Sequence, residues 1–158
     1  MSKLLDQSVR DELEALASRY PKRAALLLPA LHAAQKQSGW LSPEVLDEIA
    51  EWIGLHPAVV RQVASFYTMY YLKPVGTHVL RLCTNVSCSL RGADRLIAFC
   101  EKRLGIRRGE TSLDGKVTLM EEECLGACGT APALMLGDRY VESLDEAVLE
   151  KLFVELGL

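Results

Sequence analysis

Four cysteines lie in two close pairs, and this spacing could place four thiolates around one inorganic centre. Cys83 and Cys88 enclose four residues in the sequence C-T-N-V-S-C, and Cys124 and Cys128 enclose three in C-L-G-A-C. Cysteine thiolates are the usual ligands of structural zinc and of iron–sulfur clusters. Cysteine is also among the most buried residue types, but two close pairs argue against plain packing. The four cysteines are therefore candidate metal ligands.

Zinc and a two-iron centre are the two candidates for this ligand set. Structural zinc sites usually use tight C-x-x-C turns, whereas both spacers here are longer. A two-iron centre is larger and needs two thiolates for each iron, so wider loops suit it. Hydroxyl groups and free backbone amides near the sulfurs would stabilise such a cluster. The neighbouring residues are small and supply both: Thr84, Asn85, Ser87, Ser89, Gly126, Ala127, Gly129 and Thr130.

A Rieske-type cluster and a disulfide framework are both excluded by the residue types. The Rieske cluster needs two histidine ligands, and the histidines lie outside both cysteine segments, at positions 32, 56 and 78. Five cysteines in total, an odd number, fit poorly with paired disulfides. The fifth, Cys100, follows Leu96 and Ile97 at helical spacing, which favours packing in a core.

Three consecutive carboxylates, Glu121, Glu122 and Glu123, directly precede Cys124. A solvated strand end is the plain interpretation of this run. The alternative is electrostatic, because carboxylates beside an anionic cluster oppose a further electron and lower its reduction potential. Replacing all three by glutamine is then expected to raise that potential.

Composition limits the class of protein. The chain has 158 residues, 49% of them hydrophobic, and a net charge of −3. Nothing basic is concentrated enough to predict binding to nucleic acid or to an anionic membrane. The longest apolar stretch, residues 24–34, is too short to span a bilayer. Residues 1–6 lack the apolar core of a secretion signal, so we expect the cytoplasm, where thiols stay reduced.

The first quarter of the chain has the apolar spacing of helices. Ser8 and Asp11 resemble a capping box for a first helix, which Pro21 would end. A second helix is predicted over about residues 23–37. Pro29 should kink it, because proline removes one backbone hydrogen bond.

Two further helices complete a predicted helical bundle over residues 1–75. One begins at Ser42, as the N-cap, followed by Pro43. The other begins near Pro57. The sequence F-Y-T-M-Y-Y that follows is expected to pack between two domains rather than to bind a ligand. The break P-V-G at 74–76 marks the predicted boundary.

The remaining residues, 76–158, are predicted to form a second domain with mixed elements. Strands are expected at 77–82, 116–120, 133–136 and 139–141, and helices at 89–104 and after Ser143. Ser143 and Glu146 resemble a capping box. The order β-α-β-β-β-α places both cysteine pairs on loops at strand ends and leaves two helices to cover one sheet face. The fold class is α+β.

The chain resembles the family of the 24-kDa, or E, subunit of NADH:quinone oxidoreductase (respiratory complex I). The resemblance lies in C-T-N-V-S-C and in E-C-L-G-A-C-G-T-A-P at 123–132, together with V-A-S-F-Y at 63–67 and G-W-L-S-P at 39–43. It covers essentially the whole chain. It implies a thioredoxin-like second domain and one [2Fe-2S] cluster held by Cys83, Cys88, Cys124 and Cys128.

The resemblance also implies partners and location. Members of this family pack on a larger flavoprotein subunit that binds FMN and oxidises NADH, in a complex on the cytoplasmic or matrix side of the membrane. The chain is thus expected to carry electrons, to have no catalytic activity alone, and not to enter the membrane. No dinucleotide, phosphate or nucleophile motif appears in it.

Two alternatives stay open at this point. Similar small subunits serve NAD-dependent formate dehydrogenases and NAD-linked hydrogenases, and sequence alone separates these assemblies poorly. A zinc-stabilised interaction module without a redox role is the alternative from a different class.

Overall fold

The computed structural model describes residues 4–158 and divides the chain into two compact units, Met1–Pro74 and Val75–Leu158. Residues 1–3, which belong to the segment used in the argument about a secretion signal, lie outside the described residues. No helix in the described part is long and apolar enough to cross a membrane.

The first unit contains four α-helices that bury their apolar sides against one another. They are α1 (Gln7–Ala17), α2 (Leu27–Ser38), α3 (Pro43–Ile53) and α4 (Pro57–Phe66), with a 3-10 turn at Arg23–Leu26. One core joins them, and its fully buried members include Leu13, Leu31, Ile49, Val60 and Ala64. The predicted helical bundle is therefore confirmed.

Two local predictions in this unit are wrong. Helix α1 already begins at Gln7, so Ser8 lies inside it, and no side chain caps its first turn. Pro29 does not interrupt a helix, because it is the third residue of α2. An N–H in the first turn has no partner within the helix, so proline costs little there. The irregularity falls earlier, in the 3-10 turn before Leu27.

Helix α3 starts and ends as predicted. The Ser42 hydroxyl oxygen accepts a hydrogen bond from the Val45 N–H at 3.3 Å, and Pro43 occupies the first position. Gly54 ends the helix with a φ of +82°, which glycine adopts without strain. The two signals agree because both concern the chain's local geometry.

The aromatic run after α4 divides into buried and exposed side chains. Tyr70 packs in the core of the first unit, and its hydroxyl donates a hydrogen bond to the Leu28 carbonyl oxygen at 3.2 Å. Phe66, in contrast, is 75% exposed. Core packing is thus correct for Tyr70, within its own unit, and wrong for Phe66.

The second unit is a four-stranded sheet with three helices. Its elements are β1 (His78–Cys83), α5 (Val86–Leu90), α6 (Ala93–Leu104), β2 (Val117–Glu122), β3 (Leu134–Leu136), β4 (Arg139–Val141) and α7 (Glu146–Leu156). The strand order is β2-β1-β3-β4. Strand β1 pairs with β2 in parallel and with β3 antiparallel, and β3 pairs antiparallel with β4.

One face of this sheet forms the core with the two long helices, as predicted. Leu80 and Leu82 of β1 are buried in the same cluster as Ile97 of α6 and Phe153 of α7. Side chains alternate along a strand, so Arg81 and its odd-numbered neighbours point to the other face.

Two details of the second unit differ from the sequence predictions. The short helix α5 was not predicted, so the order is β-α-α-β-β-β-α. Ser143 does not cap α7 and instead adopts a left-handed φ of +51°. The cap is Asp145, whose carboxylate accepts a hydrogen bond from the Val148 N–H at 2.7 Å. The turn between β3 and β4 at Gly137 is confirmed.

Candidate iron–sulfur site

The four paired cysteines lie at or just after the ends of β1 and β2. Cys83 is the last residue of β1, and Cys88 lies within α5. Cys124 follows β2 by two residues, and Cys128 begins the 3-10 turn Cys128–Thr130. The prediction that all four lie on loops is therefore wrong for Cys88.

Helix α5 forms directly after Cys83 because a polar residue caps it. The Asn85 side-chain oxygen accepts a hydrogen bond from the Val86 N–H at 2.9 Å. Asparagine is a favoured N-cap residue for this reason. The turn of helix returns the chain and places Cys88 near Cys83.

Buried packing joins the two cysteine segments. Cys83 and Cys88 share one buried cluster with Ala93 and Ala131, and Leu125 packs against it. Leu125 and Ala131 flank Cys128, so both segments meet at this cluster. The peptide bond between Ala131 and the following proline is cis.

The backbone of Ala133 also holds the site together. Its carbonyl oxygen accepts a hydrogen bond from the Cys83 N–H at 3.0 Å. Burial raises the pKa of the Cys88 thiol, a hydrogen bond with Cys83 and the charges of Cys83 and Cys128 raise it further, and a hydrogen bond from the Ala133 backbone opposes the rise. Cys88 thus has both Cys83 and Cys128 as neighbours.

The second pair is exposed, whereas the first pair is buried. Gly126, with a φ of +71°, directs its N–H toward the Cys124 sulfur at 3.4 Å. The Tyr140 hydroxyl donates a hydrogen bond to the Leu125 carbonyl oxygen at 3.0 Å. Among the described residues, no three side chains of His, Cys, Asp or Glu are grouped so that they could hold one metal ion.

A sequence model of the thioredoxin-like [2Fe-2S] ferredoxin family matches residues 13–157. The chain belongs to this family. The resemblance found in the cysteine motifs is thereby confirmed, as is the thioredoxin-like, α+β fold class.

Named relatives of this family member belong to NADH-quinone oxidoreductases. It is 46% identical over 145 residues to an E-type NADH-quinone oxidoreductase subunit of Rhizobium meliloti (strain 1021), covering 92% of this chain and 86% of the relative. It is 40% identical over 150 residues to NADH-quinone oxidoreductase subunit 2 of Thermus thermophilus, covering 93% and 83%.

Solved structures support the fold. The chain of an NAD+-reducing [NiFe]-hydrogenase in the H2-reduced state matches with a TM-score of 0.75 and 24% sequence identity. The match covers 84% of this chain and only 22% of that chain. At this identity the similarity concerns the fold alone.

The fifth cysteine of this family member lies apart from the other four. Cys100 is fully buried in the core between the sheet and α6. Burial there raises the pKa of its thiol to about 12. The prediction that Cys100 is a packing residue is confirmed.

The three carboxylates before Cys124 differ from one another in the structure. Glu121 forms an ion pair with Arg108, and Glu122 lies 3.8 Å from the guanidinium of Arg81. Glu123 is exposed. They therefore do not act as three equal negative charges, as the sequence alone indicated.

Sequence reasoning missed two residues that contact the site's segments, Arg81 and Tyr140. Arg81 carried a usable signal, because a charge between two buried leucines of a strand must lie on the opposite face. Tyr140 carried none, since its contact with Leu125 depends on how the hairpin packs.

The donor set fits a two-iron cluster. It consists of two buried and two exposed thiols, all at the end of one sheet, with a backbone N–H directed at a sulfur. Thiolates are the ligands that iron–sulfur clusters use, and amide donors to sulfur stabilise them.

Proposed function

We propose that the chain binds one [2Fe-2S] cluster through Cys83, Cys88, Cys124 and Cys128. The cluster supplies a centre that accepts or returns one electron at a time. The observation that supports this best is the shared buried cluster that joins both cysteine segments. In this proposal residues 76–158 are the cluster-binding domain and residues 1–75 a separate helical domain.

We further propose that this is the electron-transfer subunit of an NADH-quinone oxidoreductase. It would exchange single electrons with the FMN of an NADH-oxidising flavoprotein subunit, in a larger complex at the cytoplasmic side of the membrane. Named relatives at 40–46% identity support this assignment. NADH gives up two electrons as hydride, so a flavin must convert them into single electrons.

The protein's own residues have distinct tasks in this scheme. The thiols of all four cysteines lose their protons when iron binds. Burial of Cys83 and Cys88 shields one side of the site from water. The exposed side, at Cys124 and Cys128, leaves a short path for an electron. The Gly126 N–H stabilises negative charge on the Cys124 sulfur.

Metal and sulfide analysis tests cluster binding directly. The chain is purified without oxygen, and iron, acid-labile sulfide and zinc are measured. About two irons and two sulfides per chain are expected. Stoichiometric zinc without iron in fresh protein would overturn the proposal and favour the zinc-stabilised module.

A second experiment tests the electron-transfer role. Oxidised protein is mixed with NADH, with and without the FMN-binding partner subunit, and cluster absorption is followed. Reduction is expected only with the partner, because a centre that takes one electron cannot accept hydride. Rapid bleaching by NADH in the flavin-free chain alone would indicate a self-contained enzyme instead.

The alternative assembly is a diaphorase module of an NAD-linked hydrogenase or formate dehydrogenase. The fold match to an NAD+-reducing [NiFe]-hydrogenase is the observation that favours it. Neighbouring genes separate the two assemblies. Genes for quinone-site and membrane subunits support the first, and a hydrogenase or molybdenum subunit supports the second.

A further inference from the structure

A pair of opposite charges lies beside the first candidate ligand, on the sheet face away from the helices. Leu80 and Leu82 of β1 point into the core. Because side chains alternate along a strand, Arg81 shares the other face with Cys83. The parallel register pairs Cys83 with Glu122 of β2, so Glu122 also lies on that face.

The contacts of this pair fix both side chains. Nη1 of Arg81 lies 3.8 Å from a carboxylate oxygen of Glu122, and Nη2 donates a hydrogen bond to the Gly137 carbonyl oxygen at 3.1 Å. The side chains of Arg81 and Glu122 are only 12% and 14% exposed. Nε of Arg81 is buried and has no hydrogen-bond partner in the described part of the chain.

The backbone of Glu122 ties this residue to the strand end that carries Cys83. Its carbonyl oxygen accepts a hydrogen bond from the Thr84 N–H at 2.9 Å. Neighbouring strands lie about 4.8 Å apart, so the Glu122 carboxylate starts from a backbone position close to Cys83. A shift of one strand against the other would break both this bond and the charged pair.

Charges that are mostly removed from water act strongly on a nearby redox centre. Salt screens them little, whereas it screens exposed charges well. A lone Glu122 carboxylate would oppose the addition of an electron, and a lone Arg81 guanidinium would favour it. Within the pair, the two effects largely offset each other.

We propose that Arg81 is a positioning residue that sets the reduction potential of the site by holding and offsetting the charge of Glu122. This inference rests on the proposed cluster binding. One electron is added on reduction, supplied by dithionite in a titration, and no covalent bond to Arg81 or Glu122 forms or breaks. Neither residue is a ligand.

Reduction potentials of four cluster-loaded variants test the inference. Arg81→Gln is expected to lower the equilibrium constant for reduction at least threefold, and Glu122→Gln to raise it at least threefold. For one electron a threefold change corresponds to about 28 mV, because tenfold corresponds to about 59 mV. The double variant should lie within twofold of wild type, and Arg81→Lys, which keeps the charge, should move less than Arg81→Gln.

Arg108→Gln is the matched control. Arg108 pairs with Glu121, one residue before Glu122, but its side chain is 54% exposed. Its effect on the potential is expected to be smaller and to disappear at high salt. The effects of Arg81→Gln and Glu122→Gln should persist at high salt, because their charges are buried.

The outcomes separate this inference from the proposed function. Iron and sulfide are measured in every variant before titration. Loaded variants whose equilibrium constants stay within twofold of wild type would overturn the role of the pair and leave cluster binding intact. Zinc in the wild-type chain would overturn both. If Arg81→Gln does not fold, Glu122→Gln alone decides, since it leaves Arg81 in place.

Discussion

The Tyr140 hydroxyl donates a hydrogen bond to the Leu125 carbonyl oxygen at 3.0 Å, which attaches the loop between Cys124 and Cys128 to strand β4. A second attachment follows on the same loop. The Thr130 hydroxyl contacts a carboxylate oxygen of Glu142 at 2.5 Å, just after β4. The exposed cysteine loop is therefore held from both ends by the hairpin.

Removal of the tyrosine hydroxyl should loosen this loop. Tyr140→Phe loses one hydrogen bond, worth roughly 0.5–1.5 kcal/mol, and keeps the ring. We expect the variant to bind its cluster but to lose it several-fold faster to an iron chelator. Tyr20→Phe, an exposed tyrosine of the first unit, is the control. Equal rates of loss in wild type and Tyr140→Phe would contradict a holding role.

Alanine substitution of the five cysteines should divide them into two groups. Cys100→Ala is expected to keep the visible absorption of the cluster, because Cys100 is buried in the helix–sheet core. It should cost only roughly 1 kcal/mol of folding stability, through the small cavity. Alanine at Cys83, Cys88, Cys124 or Cys128 should abolish or damage the absorption. A colourless Cys100→Ala protein would refute the ligand assignment.

Gly76 lies at a position where no side chain fits. A Cβ there would stand 2.7–2.9 Å from backbone atoms of Lys116 and Val117. The Gly76 N–H also donates a hydrogen bond to the Thr118 hydroxyl at 2.7 Å. We expect Gly76→Ala to lower the free energy of unfolding by about 2 kcal/mol or more, since the backbone must shift.

Urea unfolding of Gly76→Ala measures this cost, with Gly129→Ala as the matched control. A Cβ at Gly129 meets nothing within 4 Å. This control should change stability by less than about 0.5 kcal/mol. Similar midpoints for the two variants would mean that the approach of Gly76 to β2 is not tight in solution.

Alkaline pH should destabilise the first unit through Tyr70. Burial, and to a lesser degree Tyr67, raises the Tyr70 pKa from 10.0 to about 12. The unfolded chain then loses its proton first, so the contribution is full below pH 10 and is lost as the pH rises toward 12. Stability should therefore fall over that range.

Tyr70→Phe provides the comparison for this pH effect. The variant lacks the titrating group, so its stability should fall less steeply between pH 10 and 12. It also loses the hydrogen bond to Leu28, which should cost about 1 kcal/mol at neutral pH. Fluorescence of Trp40 and Trp52, both in the first unit, reports unfolding there. Identical slopes for both proteins would contradict the prediction.

Glu123 should influence the cluster potential weakly and by screening-dependent means. It is exposed, whereas Glu121 and Glu122 pair with arginines. Glu123→Gln should raise the potential by on the order of ten millivolts at low salt, and less at high salt. The triple glutamine variant should rise further, mainly through Glu122. Glu12→Gln in α1 is a distant control, and a lowered potential in Glu123→Gln would contradict the electrostatic argument.

Local signals in the sequence determined much of this protein. The N-cap at Ser42, the helix end at Gly54 and the packing of Cys100 all follow from spacing within a few residues. The cysteine motifs alone predicted a cluster-binding family. Local capping signals failed at Ser8 and Ser143, because the chain's path into a helix decides which of several polar residues becomes the cap.

Only the tertiary structure decided how the two cysteine segments meet. Antiparallel pairing of β3 with β1 brings Ala133 to Cys83, and that contact links residues fifty positions apart in sequence. Parallel pairing of β1 with β2 sets Glu122 beside Cys83 and within reach of Arg81. The register of a sheet is fixed by burial of one whole face, which no short segment encodes. For that reason the candidate ligands were readable from the sequence, while the charges and hydrogen bonds around them were not.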